Sequence, residues 1–132
     1  MRIDEALYAH LSTDAGVSAL TGTRVYPEAL PQGVTFPAIT YLQVSSVPIR
    51  TMGGRQGRSP RFQIDCWGST ATSAREVAEA VIAALDHYSG TMGGVDGVIV
   101  RGAFLENDQQ INEPDAKLHR VSLDFVIHWQ EV

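Results

Sequence analysis

Apolar residues recur along this chain with two periods, one typical of helices and the other typical of strands. The strongest helical pattern lies within residues 74–85, where the apolar side chains form one continuous stripe. It predicts a main helix over about residues 70–88, with either Thr70 or Ser73 as the N-cap. The stripe consists of Ala74, Val77, Ala78, Val81, Ile82 and Leu85.

A shorter helical pattern opens the chain. Ile3, Leu7 and Leu11 recur at helical spacing and predict a first short helix. Residues 12–14 offer side chains that can cap a second short helix, and Gly22 is expected to end it. The start of the chain is therefore predicted to be two short helices, or one broken helix.

Alternating apolar and polar residues predict four strands, over residues 38–47, 61–67, 95–105 and 117–129. Short connections between successive strands imply antiparallel pairing. We therefore predict an α+β two-layer fold. It has an about four-stranded, mainly antiparallel sheet, with the main helix and the short N-terminal helices packed on one face.

The segment at residues 48–60 shows neither period. It contains three glycines and the three arginines Arg50, Arg55 and Arg58, without any acidic residue. Connections of this length are usually functional or disordered, so the segment predicts a flexible loop. The alternative is a segment that becomes ordered when it binds a partner.

Two further segments are predicted to connect elements. Residues 24–37 contain three prolines and predict an ordered connector rather than a helix or a central strand. Residues 107–114 are polar and predict a turn. We hypothesise that Asp108 and Glu113 in this turn contact a neighbouring subunit.

The second face of the predicted sheet carries residues that solvent exposure does not explain. Trp67 and Val126 would both lie on this face, away from the main helix. Burial against another subunit would account for them. We therefore interpret the outer face around Asp65 and Trp67 as the place where a neighbouring subunit binds.

Length and charge restrict the possible classes of function. The 132 residues predict one domain spanning residues 1–132. The net charge of −5 argues against nucleic acid as the main partner, because phosphate binding requires a basic face. No window approaches the roughly 20 apolar residues of a membrane span, and Asp4 and Glu5 argue against a signal peptide. We therefore expect folding in a cytoplasm and no membrane partner.

The residue chemistry predicts no active site. The four histidines are scattered along the chain, so no metal site is expected. Cys66 lies in a strand pattern, and we interpret it as a small buried apolar group rather than a reactive thiol. Asp65 and Asp124 could meet on one face, but a solvated strand position explains each of them. We predict no enzyme activity, no catalytic residue, no cofactor and no small-molecule substrate.

An ordered set of segments resembles the tail-completion proteins of long-tailed bacteriophages and prophages, also called tail terminators or head–tail joining proteins. The resembling segments are the helical start at residues 3–20, RVYP at 24–27, PAITY at 37–41, FQIDCW at 62–67, the alanine-rich helix at 74–85 and the closing strand at 120–129. The chain departs from the family at residues 68–70, where members often have a proline and a threonine at the start of the helix.

The resemblance implies a structural virion protein, assembled in the host cytoplasm, that forms a ring, commonly a hexamer, at the head-proximal end of the tail tube. The ring would stop polymerisation of the major tail tube protein and join the tube to the head–tail connector or adaptor. DNA is expected only as cargo passing through the lumen. The alternatives are another neck or connector adaptor of the same particle, and a monomeric bacterial protein-binding module.

Overall fold

A computed structural model describes residues 2–49, 57–94, 96–113 and 118–130 of the chain. Within these ranges, residues 46–49, 57, 112 and 113 are described by their backbone alone. The helices are α1 (Ile3–Thr13), α2 (Ala15–Thr21) and α3 (Ala71–Leu85). The strands are β1 (Val25–Pro27), β2 (Ala38–Ile49), β3 (Gly57–Gly68), β4 (Gly90–Met92), β5 (Val98–Glu113) and β6 (Leu118–Gln130).

Side-chain caps determine where the second and third helices begin. The carboxylate of Asp14 accepts hydrogen bonds of 3.1 Å from the backbone N–H groups of Gly16 and Val17. The hydroxyl of Thr70 accepts a hydrogen bond of 3.0 Å from the backbone N–H of Ser73. Each cap satisfies amide groups that have no partner within the helix. Thr70, rather than Ser73, is therefore the N-cap of α3.

The six strands form one mixed sheet in the order β1-β2-β3-β6-β5-β4. β1 runs parallel to β2, and each of the other neighbouring pairs is antiparallel. β2 with β3 and β5 with β6 form two long hairpins, and β3 and β6 pair at the centre of the sheet. The two short strands β1 and β4 are therefore its outermost strands on opposite sides.

The sheet is curved into a half-barrel, and α1 lies between its two margins. α1 contacts β1 on one side of the sheet and β4 on the other. Towards β4, Nε2 of His10 lies 2.8 Å from the carbonyl oxygen of Ala84, and the His10 ring packs 4.5 Å from the ring of Tyr88. The Tyr88 hydroxyl donates a hydrogen bond of 2.9 Å to the carbonyl oxygen of Thr91 in β4. One helix thus holds both margins of the sheet.

The core lies between α3 and the inner face of the sheet. The buried side of α3 packs against β3 and β6, because its apolar stripe faces these strands. Gly68 allows the first turn of α3 to approach the end of β3, since a Cβ atom there would lie 2.6 Å from the backbone nitrogen of Ala74. The largest fully buried side chains on these two strands are Phe62, Ile64, Leu123, Phe125 and Ile127.

The predicted four-stranded, mainly antiparallel sheet is wrong. The structure has six strands in a mixed, curved sheet, with 47% of residues in strands and 30% in helices. The two unpredicted strands, β1 and β4, have three residues each, too few to show a period. β1 falls in the proline-rich connector, where Pro27 is tolerated because it lies on an edge strand. β4 begins at Gly90, in a glycine-containing segment that follows the main helix.

The predicted polar turn at residues 107–114 is also wrong, since residues 107–113 continue β5. They pair with β6 from Asn107 opposite Asp124 to Glu113 opposite Leu118. Polar residues predominate because this part of β5 has no further strand beyond it within the described ranges, so much of its side-chain surface meets solvent. Register shifts at Val100/Gly102 and Leu105/Asn107 add irregularities typical of an edge.

Candidate interaction surface

The outer face of the sheet, opposite α3, carries a row of polar and aromatic residues. Strand pairing places Thr40, Asp65 and Ser122 side by side across β2, β3 and β6. In the adjacent row, Trp67 of β3 lies opposite Arg120 of β6. This outer-face cluster contains two of the residues that the sequence predicts to meet a neighbouring subunit.

Asp65 is the acidic residue of the cluster, and it is buried. Its carboxylate accepts a hydrogen bond of 3.1 Å from the side-chain amide of Gln63 and lies 3.4 Å from the guanidinium of Arg120. The side chains of Asp65 and Arg120 are only 11% and 22% exposed. Solvent therefore screens this ion pair less than it screens a fully exposed pair.

Trp67 is fixed by contacts on its edge and on one face. Its indole N–H donates a hydrogen bond of 3.0 Å to the hydroxyl of Thr40. The guanidinium carbon of Arg120 lies 5.0 Å from the Trp67 ring centroid, within the range of a cation–π contact. Arg120, which the sequence did not single out, therefore links Asp65 to Trp67. That a neighbouring subunit covers this cluster stays a prediction.

Of the three predicted arginines the structure describes only Arg58, which does not join this cluster. Arg58 lies near the start of β3, opposite Trp129 of β6. Seven residues along the strand separate it from Asp65, a distance of about 23 Å in extended chain. Arg50 and Arg55 lie outside the described residues.

Asp108 and Glu113 lie apart from both groups. A carboxylate oxygen of Asp108 lies 3.2 Å from the guanidinium of Arg75, so this pair ties β5 to α3. Asp108 is opposite Leu123, whose side chain is in the core, and therefore faces the helical side of the sheet. Glu113 ends β5, and its side chain lies outside the description. The structure thus distributes the predicted interaction residues over separate surfaces.

The exposed apolar side chains mark two further regions. Among the described residues, five large hydrophobic side chains are exposed. Leu42 and Val44 lie on β2, and Ile99 and Phe104 lie on β5, on the opposite side of the sheet. The fifth, Tyr8, lies on α1.

Phe104 is an exposed ring that its neighbours hold in place. The ring is 39% exposed and lies between the ring of His87, at a centroid distance of 5.4 Å, and that of His128, at 5.9 Å. Nδ1 of His128 lies 2.6 Å from the hydroxyl of Ser59. Gly102 leaves space for the ring, since a Cβ atom there would lie 2.7 Å from it. We call Phe104, with the flanking His87 and His128, the Phe104 knob.

A concave site lies on the opposite side of the sheet, where β1 ends and β2 continues beyond it. This β2-edge pocket has a volume of about 250 Å³. Burial, followed by the carboxylate of Asp4, raises the pKa of the Tyr41 hydroxyl above its usual value. The volume is below the usual range for small-molecule sites. The pocket is lined mainly by Asp4, Pro27, Glu28, Tyr41, Leu42 and Gln43.

Cys66 is fully buried, and burial raises the pKa of its thiol, which keeps it protonated at neutral pH. In the described part of the chain, no group of three or more histidine, cysteine or acidic side chains is placed to hold a metal ion. None of the helices in these ranges is both long and apolar enough to cross a membrane.

Comparison with solved structures finds chains that share this fold. The chain is similar to a chain of the "virion of native gene transfer agent (GTA) particle", with a TM-score of 0.81 and 21% sequence identity over 98% of this chain and 95% of that chain. A second solved structure matches with a TM-score of 0.57 and 18% identity, over 100% of this chain and 99% of that one. At these identities the likeness shows a shared fold. A comparison with curated proteins found no match.

Charged side chains of this domain form ion pairs with one another, and its exposed ring and its pocket lie on opposite margins of the sheet. These features are typical of a protein that acts by binding other proteins through its surfaces. The particular family follows from the sequence: the family model for "Tail completion protein gp17" matches residues 5–129, and the chain belongs to this family. It is therefore a structural protein of a phage-type tail. The predicted resemblance to tail-completion proteins is confirmed.

Proposed function

We propose that this chain forms a ring, in the form of a hexamer, at the head-proximal end of the tail tube. The ring stops polymerisation of the major tail tube protein and presents a surface to the head–tail connector. The observation that carries this proposal is the family match, which spans residues 5–129. The particle component that shares the fold supports a role within an assembled virion.

The distribution of surfaces is suited to a ring. Subunits in a ring use two different, complementary surfaces, because each contact is heterologous and closes by rotation. The Phe104 knob and the β2-edge pocket lie on opposite sides of one sheet. The net charge of −5 disfavours tight binding to phosphate groups, as a channel for DNA cargo requires.

The part of the arginine-bearing segment between β2 and β3, residues 50–56, is proposed to contact the tube or the connector on assembly. The predicted loop limits of 48–60 are too wide, since residues 48 and 49 end β2 and residues 57–60 begin β3. Pairing of Ile49 with Gly57 places this segment at the end of the β2–β3 hairpin. Deleting residues 51–57 should leave a folded domain that fails to cap tails. Normal numbers of capped, infectious particles from this variant would reject the role of the segment.

The outer-face cluster and the β5–β6 hairpin are proposed as further contact regions. The double charge reversal Asp108→Lys with Glu113→Lys should weaken rings, because charge complementarity sets the register of interfaces. The Arg75–Asp108 pair is largely exposed, so this change should have little effect on folding. An unchanged ring mass for a correctly folded variant would exclude this region.

Electron microscopy of the protein mixed with polymerising tail-tube subunits of its own particle tests the function. We expect tubes of fixed length that carry a ring at one end. A ring that binds the connector but leaves tube length unrestricted would identify another neck adaptor. A protein that stays monomeric at high concentration and also with tubes would contradict the ring and favour a monomeric binding module.

A further inference from the structure

Four of the five exposed large hydrophobic side chains form two pairs on opposite sides of the sheet. One pair, Ile99 and Phe104, includes the exposed ring of the Phe104 knob, and the other, Leu42 and Val44, includes a wall residue of the β2-edge pocket. A projecting ring on one margin and a concave site on the other are the two halves of a heterologous contact. We propose that Phe104 of one copy of this chain inserts into the β2-edge pocket of the next copy.

The Phe104 knob is preorganised for such a contact. Its ring contacts the rings of His87 and His128, and Ser59 fixes His128 through a hydrogen bond to Nδ1. The ring therefore loses little conformational freedom on binding. Aromatic side chains that fill a pocket at the centre of an interface contribute most of the binding energy. Gly102 maintains this arrangement, because any side chain at that position would displace the ring.

The β2-edge pocket suits a single side chain as its occupant. Its volume of about 250 Å³ lies below the range of small-molecule sites. Apolar atoms of Leu42 and Tyr41 contribute to its walls, and β2 has no neighbouring strand on this side beyond Tyr41 within the described residues. Another copy can therefore approach the pocket without displacing a strand.

Backbone conformation supports the same pairing, because one residue at each of the two sites has an uncommon conformation. Glu28 and His87 are the two non-glycine residues with positive φ in the described chain, at 66° and 64°. Such strained positions tend to occur where function requires a particular side-chain direction.

This inference rests on the proposed ring, and cross-linking tests it separately from ring formation. The variant Gln43→Cys with His87→Cys places one thiol at the pocket and one beside the knob, while both Phe104 and Leu42 are retained. In one chain the two positions lie on opposite sides of the sheet, and a link within a subunit would leave a monomer by mass, so that only links between subunits add to a ladder. The single native Cys66 is fully buried and leaves the background unreactive.

Treatment with a short bis-maleimide, alone and on tail tubes, should give a ladder of covalent oligomers. Each single-cysteine variant should give no ladder. The pair Glu79→Cys with His87→Cys should give none either, because Glu79 is exposed on α3, outside the pocket walls. Rings that assemble normally but yield no ladder from Gln43→Cys with His87→Cys would overturn the proposed contact and leave the ring itself standing. If the wild-type protein forms no ring, either alone or on tubes, both the contact and the proposed function fail.

A second variant tests the energetic role of the ring. Phe104→Ala should weaken subunit association by about tenfold or more, as expected for an aromatic anchor. Ile99→Ala is the matched control, because Ile99 is 37% exposed, against 39% for Phe104, and lies on the same strand, outside the pocket walls and outside the ring contacts of Phe104. Equal association of the two variants, with unchanged thermal unfolding, would contradict the proposal.

Discussion

Arg120 and Asp65 form an ion pair of 3.4 Å on the outer face of the sheet, and they belong to adjacent rows of side chains on neighbouring strands. The diagonal contact brings the guanidinium over the ring of Trp67 as well. One cation thus joins an acid and an aromatic residue that the strand register alone would keep separate. The cluster therefore stabilises the pairing of β3 with β6, independently of any partner that binds to the outer face.

Removing the acid should therefore destabilise the domain. Asp65→Asn removes the carboxylate that lies 3.4 Å from the guanidinium of Arg120, in a pair that is largely shielded from solvent. We expect the free energy of unfolding to fall by about 1–3 kcal/mol, measured by urea denaturation. Asp124→Asn is the control, since Asp124 lies on the same face of β6 and has no ion pair within the described residues. An equal effect of both changes would show that the ion pair contributes nothing specific.

The N-cap of α3 can be tested by one pair of substitutions. Thr70→Ala removes the hydroxyl that accepts the N–H of Ser73, and we expect a loss of about 1 kcal/mol in the free energy of unfolding. Ser73→Ala, inside the first turn, should change it by less than half of that. A larger loss from Ser73→Ala than from Thr70→Ala would contradict the assignment of the cap.

Gly102 and Phe104 should behave as a coupled pair. Gly102→Ala places a methyl group 2.7 Å from the ring of Phe104, so the ring must leave its position between His87 and His128. The cost should be smaller in a Phe104→Ala background, where no ring is displaced. A double-mutant cycle of unfolding free energies measures this coupling, and additive effects would show that the two residues act independently.

Burial of Cys66 predicts a dependence of stability on alkaline pH. The pKa of the thiol is raised well above its usual value of 9.0 in the folded protein, so the thiol ionises first in unfolded chains. This contribution to stability is complete below pH 9.0 and is lost as the pH rises above it. Between pH 8 and pH 10 the wild type should lose about 1.4 kcal/mol more unfolding free energy than Cys66→Ala. Parallel pH profiles of the two proteins would contradict this.

The sequence predicts the elements whose periods extend over many residues. The apolar stripe of α3 and the alternation of β6 are long enough to stand out, and the structure places both within one or two residues of the expected limits at most boundaries. Side-chain chemistry limited the caps to residues 12–14 and to Thr70 or Ser73, and the structure selects Asp14 and Thr70. These features depend on interactions between residues that are close together in the sequence.

The features that sequence patterns miss depend on distant partners. β1 and β4 are strands only because β2 and β5 supply their hydrogen bonds, and a strand of three residues is too short to show a period in the sequence. The polar end of β5 is a strand because β6 pairs with it, which overrides its turn-like composition. The sequence did not single out Phe104, because its surroundings consist of Gly102 and two histidines that come from separate elements of the fold.

The position of α1 between β1 and β4 has a consequence for the order of folding. The two long hairpins join residues that are close in sequence, whereas contact between α1 and β4 joins the beginning of the chain to its last third. Contacts of high sequence separation carry a larger loop-closure entropy and form late. During synthesis, the half-barrel cannot close onto α1 until β6 has been made, because β4 is joined to β3 only through β5 and β6. Substitutions on its β4-facing side should accelerate unfolding more than they slow folding.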